Sequence, residues 1–132
     1  MKQRKRKGID GKIDKAWSLL VKHRAGWKCE IPNCKHKPTL NSHHIFSRKN
    51  AATRWDLENG LSLCVGHHTM STKFSAHANP IAFTYWLEEY KGSDFIDELS
   101  KKAHSTKKWH KFEKEELLAE FNKQLKEYEK EI

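Results

Sequence analysis

The chain is poor in long apolar stretches. No aliphatic run exceeds three residues, as at Leu19-Leu20-Val21, far short of the ~18 residues a membrane span needs. The opening MKQRKRKGIDGK carries charge with no hydrophobic stretch behind it, so the sequence predicts neither membrane insertion nor secretion. Cysteine is scarce and odd in number, three in 132 residues, which argues against a disulfide framework and for thiolates in a reducing cytoplasm. Acidic residues are outnumbered, 17 against 26 Lys+Arg, for a net charge of +9. From Glu113 onward the balance is −3, so +12 falls on residues 1–112. That surplus draws polyanions, of which nucleic acid is the usual one; a solubilising surface is the plainer alternative. This length predicts one compact domain with a helical extension rather than a two-domain enzyme, and no internal repeat is visible.

The residues divide as a disordered basic arm over 1–12, a central unit over 13–76 and a helical extension over 77–132. Ile13, Trp17, Leu20, Val21 and Arg24 share one helical face, ending near Gly26. Trp27 to Leu40 holds Pro32, Asn33 and Pro38 and reads as a loop that needs a clamp. Leu40–Phe46 and Gly60–Cys64 have strand character and are joined by a polar loop of 13 residues. Val65 to Ser75 can be helical. Asn79-Pro80 is a helix start and Gly92 its stop, with Phe83, Trp86, Leu87 and Tyr90 on one face. A short helix carries Phe95, Ile96 and Leu99. The last, from about Glu113 to Glu131, aligns Leu117, Leu118, Phe121, Leu125 and Tyr128 in a stripe best read as a core contact.

Cys29-x4-Cys34 and Cys64-x2-His67 are two short-spaced pairs that together offer three thiolates and an imidazole. Such a set suits a structural zinc, which takes four soft or borderline ligands tetrahedrally; His36 is the alternative fourth ligand. Two adjacent pairs, His43-His44 and His67-His68, flank the strands. Neighbours on a helix diverge by about 100°, so His67 can face the zinc while His68 faces the hairpin. His43, His44 and His68 are then free for other work. His23, His36, His77, His104 and His110 show no paired spacing and read as bystanders.

Ser42-His43-His44-Ile45, Glu58-Asn59-Gly60-Leu61 and Leu63-Cys64-x-x-His67-His68 resemble the motif of HNH endonucleases over roughly Trp17 to Phe74. The resemblance implies an α+β fold: a ββα-metal (His-Me) finger stapled by a structural zinc and flanked by an N-terminal helix and C-terminal helices. It implies His44 as the general base that activates water, His43 and His68 as ligands of a catalytic divalent ion, and Asn59 as a brace of the loop between the strands. Imidazole at His43, where the family often has Asp, favours Mn²⁺, Ni²⁺, Co²⁺ or Zn²⁺ over Mg²⁺. Because strict alternation would put His43 and His44 on opposite faces, a bend or bulge is expected there.

Arg48, Lys49, Arg54 and Lys73 are the candidate DNA contacts, with Arg54 equally suited to pairing with Asp56 or Glu58. Lys101, Lys102, Lys107 and Lys108 with Trp109 and His110 form a further possible phosphate-binding edge. The implied activity is metal-dependent hydrolysis of DNA phosphodiester bonds, nicking as a monomer or acting as a weak dimer. Thr53-Arg54-Trp55-Asp56-x-x-Asn59 and the aromatic helix beyond it are also similar to NinG-like phage recombination proteins, though His43 and His68 stand where Gly and Asn are usual. A phage or prophage origin, DNA-packaging partners and a cytoplasmic setting follow from these resemblances. The alternatives are a junction-processing nuclease and a zinc-stabilised nucleic-acid-binding module without chemistry.

Overall fold

The computed structural model describes residues 8–32, 34, 39–70 and 74–130. In chain order come α1 (Ile9–Arg24), β1 (Leu40–His44), a single helical turn α2 (Ala51–Arg54), β2 (Gly60–Cys64), α3 (Pro80–Lys91), α4 (Ser93–Ala103) and α5 (Lys111–Lys130). A tight turn at Leu57–Asn59 leads into β2, and one wide, π-type turn at Gly66–Met70 follows it. The fold is α+β, mostly helical around a two-stranded antiparallel sheet. No described helix is long and apolar enough to cross a membrane.

Ile13, Ala16, Trp17, Leu20 and Val21 recur at helical spacing, and α1 buries all five. Each large side chain among them contributes about 2 kcal/mol by leaving water. The helix begins at Ile9, inside the stretch expected to be a disordered arm, because Asp10 suits its first turn and pairs with Lys114 of α5 at 2.9 Å. Residues 1–7 of that arm lie outside the described residues. α1 lies between the hairpin and α5, whose Phe121 is buried in the same core with Leu117, Leu118, Leu125 and Tyr128 packed around it. On the hairpin side Arg24 donates to the carbonyls of Leu57 and Gly60 at 2.8 and 2.7 Å, and Ser42 Oγ donates to the Ser18 carbonyl at 2.7 Å.

The strands pair without interruption from Leu40↔Cys64 to His44↔Gly60, and Ile45 N donates to Asn59 O at 2.9 Å beyond them. The expected bulge is therefore absent. Plain alternation sends His43 and Leu61 toward α3, where Leu61, Leu63, Phe83 and Leu87 form a second core, and sends His44 and Gly60 toward α1. A Cβ on Gly60 would run into Val21 Cγ2 and stand 2.8 Å from Trp17 Cζ2. Gly60→Ala is expected to cost about 1–3 kcal/mol as overpacking, seen as a lower urea midpoint at an unchanged slope. An unshifted midpoint would mean that α1 has room to move.

Of the helix expected over Val65–Ser75, the described residues form the turn at Gly66–Met70; residues 71–73 lie outside the described residues. From there the chain folds back, with Ala76 N donating to His67 O at 2.8 Å and His77 N to His68 O at 3.0 Å. α3 then starts as its signals imply, the Asn79 side chain accepting from Ala82 N at 3.2 Å with Pro80 next, and Gly92 at φ 90° ends it.

Candidate functional site

The described residues hold two clusters of ligand-type side chains. Cys29, Cys34, Cys64 and His67 bring one donor atom each to within 4.8 Å of the others. Cys34 and Cys64 Sγ are 3.6 Å apart, too far for a disulfide, and His67 Nδ1 stands 3.4 and 3.2 Å from the sulfurs of Cys29 and Cys64. Tetrahedral coordination at Zn–S and Zn–N bond lengths puts neighbouring donors roughly 3.5–3.8 Å apart, close to this spacing. Burial pushes the Cys29 thiol up to about 12, with the neighbouring Cys64 adding to the effect, while backbone hydrogen bonds oppose it. A cation at the centre is what would favour thiolates there. These four residues can hold a metal ion. His36 lies outside the described residues. Glu30 anchors the loop: its carboxylate accepts from Ser62 N at 2.6 Å and from Tyr90 Oη at 2.7 Å.

His43, His68 and His77 form the second cluster, again with one donor atom each within 4.8 Å. His68 Nε2 and His77 Nε2 are 3.0 Å apart, the separation of two nitrogens bound about 2.1 Å from one ion at a right angle. Burial lowers His43 to about 3, helped by the neighbouring His68 and His77, and burial followed by His77 lowers His68. Burial thus disfavours the charged forms of His43 and His68, and a neutral imidazole is the form that binds a metal ion. His77, read from the sequence as a bystander, is placed by the structure beside His43 and His68. Its sequence distance from His68 marks nothing; the back-folded loop between the π-type turn and the α3 cap brings it in. The only local cue is its place just before the Asn79-Pro80 start.

His44 lies on the opposite face of the strand. Its ring stacks on Trp17, centroids 3.9 Å apart and planes 10° from parallel, and its Nε2 is 3.0 Å from the Arg54 carbonyl oxygen. A carbonyl only accepts, so Nε2 carries the proton and Nδ1 presents a lone pair. Burial lowers His44, with the Arg54 hydrogen bond opposing it. The ring is thus fixed in plane and tautomer and stays neutral, as a proton acceptor must. Although the two side chains diverge, His43 and His44 line one cleft of about 790 Å³ together with His68, His77 and Arg48. Phe83 and Leu87 of α3 supply part of its apolar wall, and among the described residues its lining includes no carboxylate.

Asn59 is fully buried. Its side chain donates to Phe46 O and Thr53 O at 2.9 and 3.1 Å and accepts from Phe46 N at 2.8 Å, tying both ends of the interstrand loop together. Arg54 does not pair with Asp56 or Glu58. It makes a two-point ion pair with Asp14 of α1 at 3.1 and 2.8 Å, while Asp56 takes Lys102 of α4 at 2.6 Å. Arg48 and Lys49 are exposed beside the cleft, and Lys73 lies outside the described residues. Comparison with protein-family models, curated proteins and solved structures finds no significant match for this chain. Its reading rests on the residues themselves.

Proposed function

We propose that this chain is a metal-dependent endonuclease of the HNH type that hydrolyses DNA phosphodiester bonds, its hairpin and π-type turn serving as a ββα-metal finger and its cysteine cluster holding a structural zinc. The observation that carries the reading is the juxtaposition, in one cleft, of a carbonyl-locked neutral histidine and three imidazoles gathered for an ion. A structural module has no use for either. Bound at His43, His68 and His77, a divalent cation would act as a Lewis acid on the scissile phosphate and its leaving oxygen. His44, with Nε2–H held by the Arg54 carbonyl, would take the proton of the attacking water on Nδ1. Asn59 would hold the loop that supplies that carbonyl, and Arg48 would meet a phosphate flanking the bond.

Three imidazole nitrogens, with no carboxylate among the described residues lining the cleft, suit borderline ions and bind Mg²⁺ weakly. Supercoiled plasmid should be nicked with Mn²⁺ or Ni²⁺ faster than with Mg²⁺ when metals are restored singly to depleted protein, with one tightly held zinc retained throughout. His77→Ala is expected to raise the activating metal concentration by about 10-fold or more without loss of that zinc. Equal turnover in Mg²⁺ alone, or an unaltered metal requirement in His77→Ala, would reject the ligand set. Failure of any metal to support nicking by the folded chain would reject the nuclease itself.

A further inference from the structure

We propose that a second cleft, where the β1–α2 loop meets the α4–α5 linker and the start of α5, is a docking site for the phosphodiester backbone of duplex DNA, continuing the path from the histidine cleft. This deepens the nuclease reading by assigning where the substrate runs. The cleft measures about 540 Å³, and Arg48, Lys49, Arg54, Lys107, Lys108 and Lys114 line it beside Trp55 and Trp109. Arg54, Lys107 and Lys114 are committed to Asp14, Glu113 and Asp10 at 2.8, 2.8 and 2.9 Å. Arg48, Lys49 and Lys108 are exposed, and among the described residues no carboxylate pairs with them.

Gathering like charges from three separate segments costs repulsion that folding alone does not require. In a concave surface the same charges focus a positive potential on an incoming polyanion. The linker that brings Lys107 and Lys108 is held in place: Trp109 Nε1 donates to the Ala51 carbonyl at 2.9 Å, and Trp109 meets Trp55 edge-on at 5.3 Å. Lys107 Nζ lies 4.6 Å above the Trp109 ring. Arg48 lines both clefts, so a strand lying over the histidines would reach the second cleft through it. That continuity favours a chain of phosphates over a single small anion.

The test is binding of the full, metal-loaded chain to a labelled duplex of about 20 base pairs, without added divalent ions, over roughly 50 to 200 mM salt. The double variant Lys49→Glu with Lys108→Glu is expected to bind about 10-fold more weakly or worse, with a salt slope shallower by about two. Lys123→Glu with Lys126→Glu changes the net charge equally at exposed positions of α5 and is expected to bind as wild type. Equal losses in the two double variants, or no loss in the first, would overturn the proposal. Displacement of the duplex by millimolar inorganic phosphate at constant ionic strength would overturn it in favour of a small-anion pocket. A chain that binds through this cleft but nicks nothing leaves the inference standing and sinks the nuclease reading; one that nicks, with binding unchanged in the first variant, does the reverse.

Discussion

His44→Ala is expected to slow plasmid nicking by about 10²–10⁴-fold, the usual contribution of a positioned general base, while salt-sensitive DNA binding stays near the wild-type level. The imidazole contributes nothing to the cationic surface when neutral, so the charges that attract DNA are untouched. Alanine also removes the stack on Trp17, so a second variant separates chemistry from packing. His44→Gln can still donate from its amide toward the Arg54 carbonyl but has no titratable nitrogen. It should unfold at a urea concentration between those of wild type and the alanine variant, and be as slow as the alanine variant. Undiminished cutting by either variant would remove His44 from the mechanism. Retained binding with no cutting even in the wild type would favour the binding-module alternative, because such a module has no need of His44.

Cys64→Ser is expected to abolish cooperative folding at 25 °C and to release the metal proposed for the cysteine cluster. Cys64 is fully buried at the end of β2, and its sulfur lies within 3.6 Å of Cys34 and 3.2 Å of His67. Structural zinc sites of this kind supply about 10–16 kcal/mol of apparent folding free energy, comparable with the roughly 5–15 kcal/mol that holds a whole domain folded. Among the described residues, the other ties of the loop bearing Cys29 and Cys34 to the rest of the fold run through Glu30 to Ser62 and Tyr90 and through the packing of Ile31 on the Leu61 and Leu63 core. Far-UV circular dichroism with elemental analysis reads both effects. A metal-free Cys64→Ser chain that still unfolds cooperatively would show the cluster to be dispensable.

Elements governed by short-range chemistry were legible before any coordinates. The apolar face of α1, the Asn79-Pro80 start and Gly92 stop of α3, and both strands occur where periodicity and turn residues place them, within the usual play at their ends. Val65–Ser75 was the weakest reading, since Gly66 and the Thr/Ser cluster give propensity little purchase. Among the described residues there, Gly66–Met70 form one wide turn. The expected bulge at His43-His44 arose from the assumption that both side chains must leave the same face of the strand. An undistorted strand serves instead, because the cleft lies around its end and receives a ring from each face.

By itself the sequence determined the short-spaced pairs Cys29/Cys34 and Cys64/His67, the adjacent histidines and the excess of cations, because close spacing on one turn or strand makes side chains neighbours whatever the rest of the chain does. Only the tertiary structure decided three things. His77 joins His43 and His68 because a loop folds back by two backbone hydrogen bonds. Arg54 spends its charge on Asp14, forty residues earlier, while its carbonyl sets the proton of His44. Lys107, Lys108 and Lys114 meet Arg48 and Lys49 because α5 packs along α1 and Trp109 pins the linker to α2. Each is a contact between segments remote in sequence, and such contacts are set by how apolar faces pack against one another, which no local spacing encodes.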